Sequence, residues 1–556
     1  MFKKGFHKIA AAAFFSAIMV ISCFTGLAGC KKDVDKTKTQ LYVGVFDGGI
    51  GREWIIELAR KFEEEHAETN FEPGVFVKGQ EKKGVQVIID YKKEQFTGDI
   101  LRSSMAANRQ DMYFTQEVHY ESMVKDGHLA DITDVVTEKY DTVDLGDGLK
   151  AYSLEDKMPE AIRRNLKSID NKYHAVEWAQ PQINLIYDVD LFCRKRLYFL
   201  ENGTINGSID NPNDHLLNGN GLPDTWPRFL ELMKEMTDNA GVTPFTWSGM
   251  YAYQRTSFFV NMLANYHGYN DFVAYNSLNG TLRDGTVIDE TNGYLQFETD
   301  SRRAAVQAAY DIASNKLNFS SVAFNLTQTH TYAQMEYLMS VLNNKPIAML
   351  LEGSYWEAEA ASVFSEMERK NPEYSMANRR FASMPLPRFI GVDGVRDQTS
   401  DEPVFYSNGD GLAFISAYSG KINLAKTFFK YFHTNKSMSR FQTLSGTPLN
   451  FNYVINDADY EKMSYFKKSV YDQFKAAGSK LITNRALEHM PNSKYIDKSF
   501  FVNAYSVVEV KGQNYIEPIQ AFEQKMVTVD DWCASYAQKY SKAAWEAHMK
   551  SKGWPG

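Results

Sequence analysis

The chain changes its hydrophobic rhythm along its length. A basic start, MFKKGFHK, precedes an apolar run from Ile9 to Ala28, the order of a secretory signal. Beyond residue 30 no run approaches the ~18 consecutive apolar residues that a transmembrane helix requires. Short β-type runs alternate there with helical periodicity. The stretch 41–46 (LYVGVF) reads as a strand closed by the turn residues of 47–51 (DGGIG). From 52 to 66, Trp54, Leu58 and Phe62 recur every four residues with Ile55 and Ala59 beside them, which predicts an amphipathic helix. Strands are predicted at 85–90 and 111–115 with a polar helical segment between, and later at 184–188, 346–351, 381–387 and 411–416. This alternation predicts βαβ units, an α/β class and a largely parallel sheet. Leu424, Phe428 and Phe432 mark a helix in a last quarter that is mostly helical.

A length of 556 residues argues for two or three globular units. The net charge is −8, and the leader's Lys3, Lys4 and Lys8 leave −11 for the remainder. So acidic a chain lacks the clustered Lys/Arg surface that phosphate neutralisation demands, which argues against nucleic acid as a partner. A mean hydropathy of −0.41 excludes a polytopic membrane protein.

Leu27-Ala28-Gly29-Cys30 resembles the lipobox of bacterial lipoproteins. In that class the leader (1–29) is removed and Cys30 becomes a diacylated N-terminus; two acyl chains anchor stably where one binds only reversibly. This reading is preferred to an uncleaved anchor helix. The implied localisation is the outer face of the cell membrane, with 31–40 (KKDVDKTKTQ) as a flexible tether. Cys193 and Cys533 then remain. They are far apart and outside any CxxC spacing, so they read as buried thiols, a disulfide between them being left open.

Two stretches, 201–224 and 388–411, concentrate Gly, Asn, Asp and Pro and read as turn-dense surface. The first ends in a sequence similar to a calcium loop, but Leu216 stands where the first acid should be, and Asn218 and Asn220 replace aspartates. A hard cation wants carboxylate oxygens. A plain turn is the better reading, and no metal or cofactor is expected.

Several segments in order resemble the extracellular solute-binding proteins of bacterial ABC importers, the carbohydrate-type family that includes maltose-binding protein. The stretch 175–192 (AVEWAQPQINLIYDVDLF) is similar to that family's crossing segment ending in L-x-Y-[ND]-x-x-LF. The stretch 221–237 is similar to its G-x-P-x-TW-[DE]-E helix, with Pro227 and Arg228 in place of the usual acids. The stretch 345–356 (KPIAMLLEGSYW) resembles A-M-x-x-x-G-x-W, 381–387 a later ALP-type strand, and 409–431 the G-x-x-x-x-I…A-x-x-F-x-x-Y element. The resemblance implies a two-lobe periplasmic-binding-protein type II fold with a hinge and an interlobe ligand cleft. It places lobe 1 at 41–180, lobe 2 at 181–405, a return to lobe 1 at 406–452 and C-terminal helices, mainly of lobe 2, at 453–556. The crossings fall near 178–183, 403–410 and 450–456.

Ligands of open α/β sheets lie beyond the carboxyl ends of the strands. Sugar sites combine aromatic faces with a few orienting polar groups. Together these point to Phe46, Asp47 and Gly49 after the first strand, Gln116 and Glu117 after the third, and Trp178 and Gln182 at the crossing. They also point to Trp247 and Tyr251 in PFTWSGMYAY, and to Glu352, Tyr355 and Trp356 after PIAMLL. The resemblance implies stacking platforms at Trp247 and Trp356. Asp47, Gln116 and Glu117 equally suit helix capping, and Trp178 depends on a strand register that the sequence leaves open.

Catalytic signatures are missing. No GxSxG elbow, HExxH or Walker A loop occurs, and in 47–54 Trp54 occupies the position of the third glycine of a dinucleotide fingerprint. The expectation is therefore a binding protein and not an enzyme: a monomeric lipoprotein that captures an oligosaccharide or another small molecule for ABC importer permease subunits. A lipoprotein binding a non-sugar ligand or serving a sensor kinase, and a surface glycoside hydrolase, are its rivals.

Overall fold

A computed structural model of the chain describes residues 34–167, 170–209, 220–407, 411–478, 480–483, 508–515, 517–525 and 527–554. The leader, Cys30 and positions 216 and 218 of the calcium-like loop lie outside these. The chain divides into a small compact unit, residues 1–41 with 63–88, and a large one, residues 42–62 with 89–556.

In the small unit, Thr39 N donates to Gly84 O (3.1 Å), Lys83 N to Thr37 O (3.1 Å) and Asp35 N to Gln86 Oε1 (2.8 Å). The later part of the expected tether is therefore tied down. Asp35 turns the chain by accepting from the Thr37 amide and hydroxyl (3.0 and 2.6 Å), and the first strand starts at Thr39 instead of Leu41. A short hairpin pairs Phe76–Val77 with Gln80–Glu81 and turns through Lys78 and Gly79, both at positive φ.

In chain order the elements that build the site are β1 (Thr39–Phe46), α1 (Glu53–Glu65), β2 (Val85–Lys92), β3 (Met112–Phe114), β4 (Ala175–Glu177), β5 (Ile183–Asp188), α2 (Val189–Lys195), α3 (Trp226–Glu235), β6 (Thr243–Thr246) and α4 (Ala252–His267). They continue with α5 (Asp300–Ala313), α6 (His330–Met339), β7 (Ile347–Gly353), α7 (Trp356–Glu359), β8 (Phe381–Ser383), β9 (Phe405–Ser407), β10 (Leu412–Ile415), α8 (Ile422–Phe432), α9 (Asn435–Ser445), α10 (Tyr465–Ala477) and β11 (Leu481–Thr483). Three helices close the chain: α11 (Pro518–Glu523), α12 (Val529–Lys539) and α13 (Lys542–Ser551).

The large unit holds the two sheets of a two-lobe α/β fold. In lobe 1 the order is β1-β3-β10-β4, with β2 beside β1 where Asp47 N meets Lys92 O at 3.0 Å. β1 and β3 are parallel, but β10 runs antiparallel to both of its neighbours. Lobe 2 has the order β6-β7-β5-β8, with only the β6–β7 pair parallel. Both sheets are thus mixed and not largely parallel, because the strands that enter from the opposite lobe arrive without the right-handed crossover that makes parallel neighbours.

Each lobe has its own core. Trp54, Ile55, Leu58, Ala59 and Phe62 of α1 are buried, and Trp54 packs edge-on against Phe114, Phe432 and Phe441 at 5.0–5.6 Å. The Leu424, Phe428, Phe432 stripe of α8 is buried as its spacing requires. In lobe 2, Trp226 stacks on Phe389 (5.2 Å, 17°) and donates its indole N–H to Asp311 of α5 (2.7 Å). Arg228, the departure from the motif's acid, lies over Phe199 (5.2 Å) and donates to Gly203 O (2.8 Å). Trp532 and Trp545 of α12 and α13 enter the same core, and Arg255 of α4 forms a buried ion pair with Glu517 (2.5 Å).

Three segments cross between the lobes. Residues 178–182 join β4 to β5, the second runs from β9 to β10, and 446–453 lead from α9 towards α10, which packs on β8. They are stitched together by Gln180 N to Pro448 O (2.8 Å), an Ala179–Leu449 bridge and Ser407 Oγ to Pro181 O (2.8 Å). Buried Glu177 accepts from Gln180 (3.2 Å) on the first crossing, Asn450 on the third and Thr483 (3.4 Å) on β11, which pairs with β9 at the start of the second.

The L-x-Y-[ND]-x-x-LF motif has a structural role. Asp188 caps α2 by accepting from Leu191 N (2.9 Å) and pairs with buried Arg379 (2.6 Å), while Leu191 and Phe192 fill the core. Asp188→Ala strands the Arg379 guanidinium, and urea denaturation is expected to show a loss of about 3–5 kcal/mol. Asn at this position keeps the capping oxygen and recovers about 1 kcal/mol of that.

Candidate functional site

The residues expected at the site separate into two groups. The first lies in the cores. Trp356 is 0% exposed, enclosed by Tyr337, Phe364, Phe381 and Phe466 at 5.0–6.1 Å. Trp247 packs among Phe245, Phe319 and Phe324 at 5.5–6.1 Å. Trp178 is 1% exposed, donates to Thr115 O (2.8 Å) and lies against Trp54 and Phe114. The structure therefore corrects the expectation of open stacking faces at Trp247 and Trp356, and turns Trp178, whose register the sequence left open, into the lobe 1 core. Tryptophan carries the largest apolar surface, and here burial claims it. Strict counting explains the slip at Trp356: in A348-M349-L350-L351-E352-G353-S354-Y355, it is Tyr355 that occupies the final position of A-M-x-x-x-G-x-W.

In the second group, Gly49 and Tyr355 meet between the lobes near Glu352, whereas the described contacts of Gln116 and Glu117 are with lobe 1. A Cβ on Gly49, after β1, would strike the Glu359 carboxyl and fall 2.6 Å from Tyr355, so this glycine is what lets the lobe 1 loop approach lobe 2 so closely. Beside it Asp47 does not cap α1 but forms a two-pronged ion pair with Arg52 (3.0 and 2.6 Å), whose guanidinium lies 4.4 Å over Tyr91. Phe46 is half-buried with Gly48 packed on its ring. Gln116 bridges to Thr97, and Glu117 is exposed at a φ of 52° with its carbonyl accepting from Gly98 N (2.9 Å), so neither caps the helix that follows. Gln182 is buried at the crossing, and its Oε1 has no hydrogen-bond partner among the described residues.

On lobe 2 the end of β7 presents Glu352, which is 0% exposed. Its Oε1 accepts from Gln254 Nε2 (2.5 Å) and Gly353 N (2.8 Å), and its Oε2 from Gln334 Nε2 (3.2 Å). Gln334 Nε2 also donates to Glu359 Oε2 (2.9 Å), and His330 Nε2 lies 3.5 Å from Glu359 Oε1. Tyr251 lies 5.2 Å from the His330 ring and 5.8 Å from Tyr253, whose hydroxyl reaches that of Tyr355. Gln254, His330, Gln334 and Glu359 were not legible as site residues. They come from α4, α6 and α7, and no local motif marks them.

Electrostatics concentrate on the same cluster. Burial, reinforced by the Glu359 charge, pushes Glu352 up to about 7. Burial depresses the His330 imidazole, but the adjacent Glu359 carboxylate more than offsets this and leaves it raised. Burial, with Glu352 nearby, holds the Tyr355 hydroxyl well above the ordinary phenol range. The face is thus an aromatic and acidic one, rich in hydrogen-bond acceptors. Among the described residues no group of three or more His, Cys, Asp or Glu could hold a metal, no helix is long and apolar enough to cross a membrane, and Cys193 and Cys533 are free thiols.

A separate cavity of about 450 Å³ opens beside the crossing on lobe 2, walled by Leu185, Met262, Met384 and Phe405. Part of its polar rim is satisfied internally, as in the Ser383–Asn184–Gln473 set (2.9 and 3.1 Å), and Gln182 Oε1 and Arg388 Nε are left without partners among the described residues. The acceptor-rich face at Glu352 also has unmet hydrogen-bonding capacity and lies where the lobes meet, and is the better candidate.

No protein-family model matches the chain, and no curated protein matches it. Solved structures do. A chitin oligosaccharide binding protein superposes with a TM-score of 0.50 at 14% identity, over 92% of this chain and 99% of that one. A Bacillus subtilis subsp. subtilis strain 168 binding protein, MsmE, in an open conformation, gives 0.46 at 14% identity over 92% and 100%. The first likeness is one of fold: two lobes of α/β structure.

Two outcomes follow from this geometry. Trp356→Ala is expected to cost about 3–5 kcal/mol in urea denaturation, as a buried tryptophan deletion does. Glu352 binds its proton more tightly folded than unfolded, so its contribution to stability falls as pH rises from about 4.5 through about 7. The stability difference between the unaltered chain and Glu352→Gln should decline across that window and level off above it, as read by thermal unfolding at stepped pH.

Proposed function

We propose that the protein is a solute-binding protein that captures an oligosaccharide between its lobes and delivers it to an ABC importer, without chemical turnover. The observation that carries this reading is the meeting of Gly49 on lobe 1 with Tyr355 and Glu359 on lobe 2, beside a buried polar floor. A ring face and oriented acceptors suit a sugar's C–H surface and hydroxyls. The three crossing segments supply the hinge about which such lobes close, and ligand favours the closed state by its greater affinity for it. The fold shared with a chitin oligosaccharide binding protein supports the same direction.

The lipobox-like 27–30 completes the proposal. The mature chain begins at Cys30 and is held by its two acyl chains at the outer face of the membrane, as a monomer beside the permease. Phe46, Asp47, Gly49, Tyr251, Glu352 and Tyr355 are the residues proposed to face the ligand, joined by Tyr253, His330 and Glu359.

Titration calorimetry against mono- and oligosaccharides, with product analysis of the same mixtures, tests the reading. Stoichiometric binding without products is expected, and Tyr355→Ala should weaken it about tenfold or more at a temperature where circular dichroism shows the variant still folded. Hydrolysis products, or no sugar bound at all, would overturn it. Cys30→Ser should move the expressed protein out of the membrane fraction without altering affinity.

A further inference from the structure

The floor of the site leaves buried acceptors without donors. Gln334 places its amide nitrogen between the carboxylates of Glu352 and Glu359, and Gln254 places its own on Glu352. With both carboxylates ionised they accept and do not donate, and these contacts then place the nitrogen end of each amide on them. Gln254 Oε1 and Gln334 Oε1 are thereby left as buried acceptors with no donor among the described residues, on side chains of residues only 1% exposed. Both amides close on Glu352 at the carboxyl end of β7, where the lobes meet.

Glu352 also forms no ion pair of its own among the described residues, although the His330 charge reaches it. Of the cations around it, His330 is paired with Glu359, Arg52 with Asp47 and Arg255 with Glu517, while Lys467 acts on Glu357. Lys93 acts on His330 from longer range. Among the described residues none of these cations forms an ion pair with Glu352.

We propose that this floor receives a primary ammonium group, so that the ligand is an amino sugar oligomer with at least one unacetylated amine. This rests on the sugar-binding reading of the site. An ammonium carries three N–H donors and no acceptor, which matches two amide oxygens and the remaining lone pair on Glu352 Oε2. A hydroxyl has one donor and would turn its own lone pairs toward a third acceptor. An acetamido group would bring a carbonyl oxygen and a methyl group against carboxylate oxygen. The cation also supplies the ion-pair partner that Glu352 lacks among the described residues, and burial strengthens that attraction.

The experiment is titration calorimetry of the full chain at pH 6.5 with four probes: the fully deacetylated glucosamine tetramer, its N-acetylated counterpart, cellotetraose and spermidine. The deacetylated tetramer is expected to bind about tenfold or more tighter than the acetylated and neutral tetramers, the scale of a charge-assisted hydrogen bond. Glu352→Gln should collapse that preference to within about threefold. Equal binding of the three tetramers, tighter binding of an uncharged one, or a preference that survives Glu352→Gln overturns the ammonium assignment and leaves the sugar reading intact. Spermidine binding with no tetramer bound supports the ammonium floor and overturns the sugar reading. No binding of any probe overturns both. If Glu352→Gln fails to fold, the ranking of the four probes on the unaltered chain decides.

Discussion

The connection between the lobes depends on how one buried carboxylate is satisfied. Glu177 ends the last lobe 1 strand before the first crossing, and burying it is tolerable only if its oxygens are hydrogen-bonded. The donors come from Gln180 on the first crossing, Asn450 on the third and Thr483 on the strand paired with the second. Three stretches of chain far apart in sequence are thereby held in one place. The loops of the candidate site hang from this junction: the one after β1 on one side, and the one after β7 on the other.

How much of this could be read from the sequence depended on how local the determining physics was. The helices α1 and α8 were legible because burial of one face imposes its period on the residues themselves. Strand direction was not. β10 has the same kind of apolar sequence as β3, yet it arrives from the other lobe and runs the opposite way. β6 escaped notice because Pro244 weakens a strand pattern. As an edge strand, it can accommodate a residue that lacks a ladder donor. The polar 35–40 segment looked like a solvated tether, but Asp35 and Gln86 give it partners that composition does not announce.

At the candidate site the division ran between residue types. The sequence named both tryptophans and tyrosines in these loops, and the structure separates the two types. Trp247 and Trp356 were swallowed by the core, while Tyr251 and Tyr355, one to four residues away, stand where the lobes meet. A phenol can bury its ring and still keep a hydroxyl among polar neighbours, whereas both buried indole N–H groups lack partners among the described residues. Glu352 was named from its place at the end of β7, but the Gln254 and Gln334 that gather on it were beyond sequence reasoning. The three are brought together only by the packing of α4 and α6 on β7.

The central position of β10 also bears on how the protein is made. β3 and β4 are neighbours in lobe 1 only through β10, so the lobe's sheet has a gap until residues 412–415 have been synthesised. All four strands of lobe 2's main sheet emerge from the ribosome before that gap can close. Lobe 2 in turn waits for Trp532 and Trp545 near the chain's far end. Neither lobe can mature independently during synthesis, and two half-built cores with open strand edges must coexist for hundreds of residues. Long-range pairings of this kind fold slowly and expose apolar surface meanwhile. The interleaving that lets one chain form a hinged pair of lobes therefore also prolongs the nascent chain's exposure to aggregation and its need for protection.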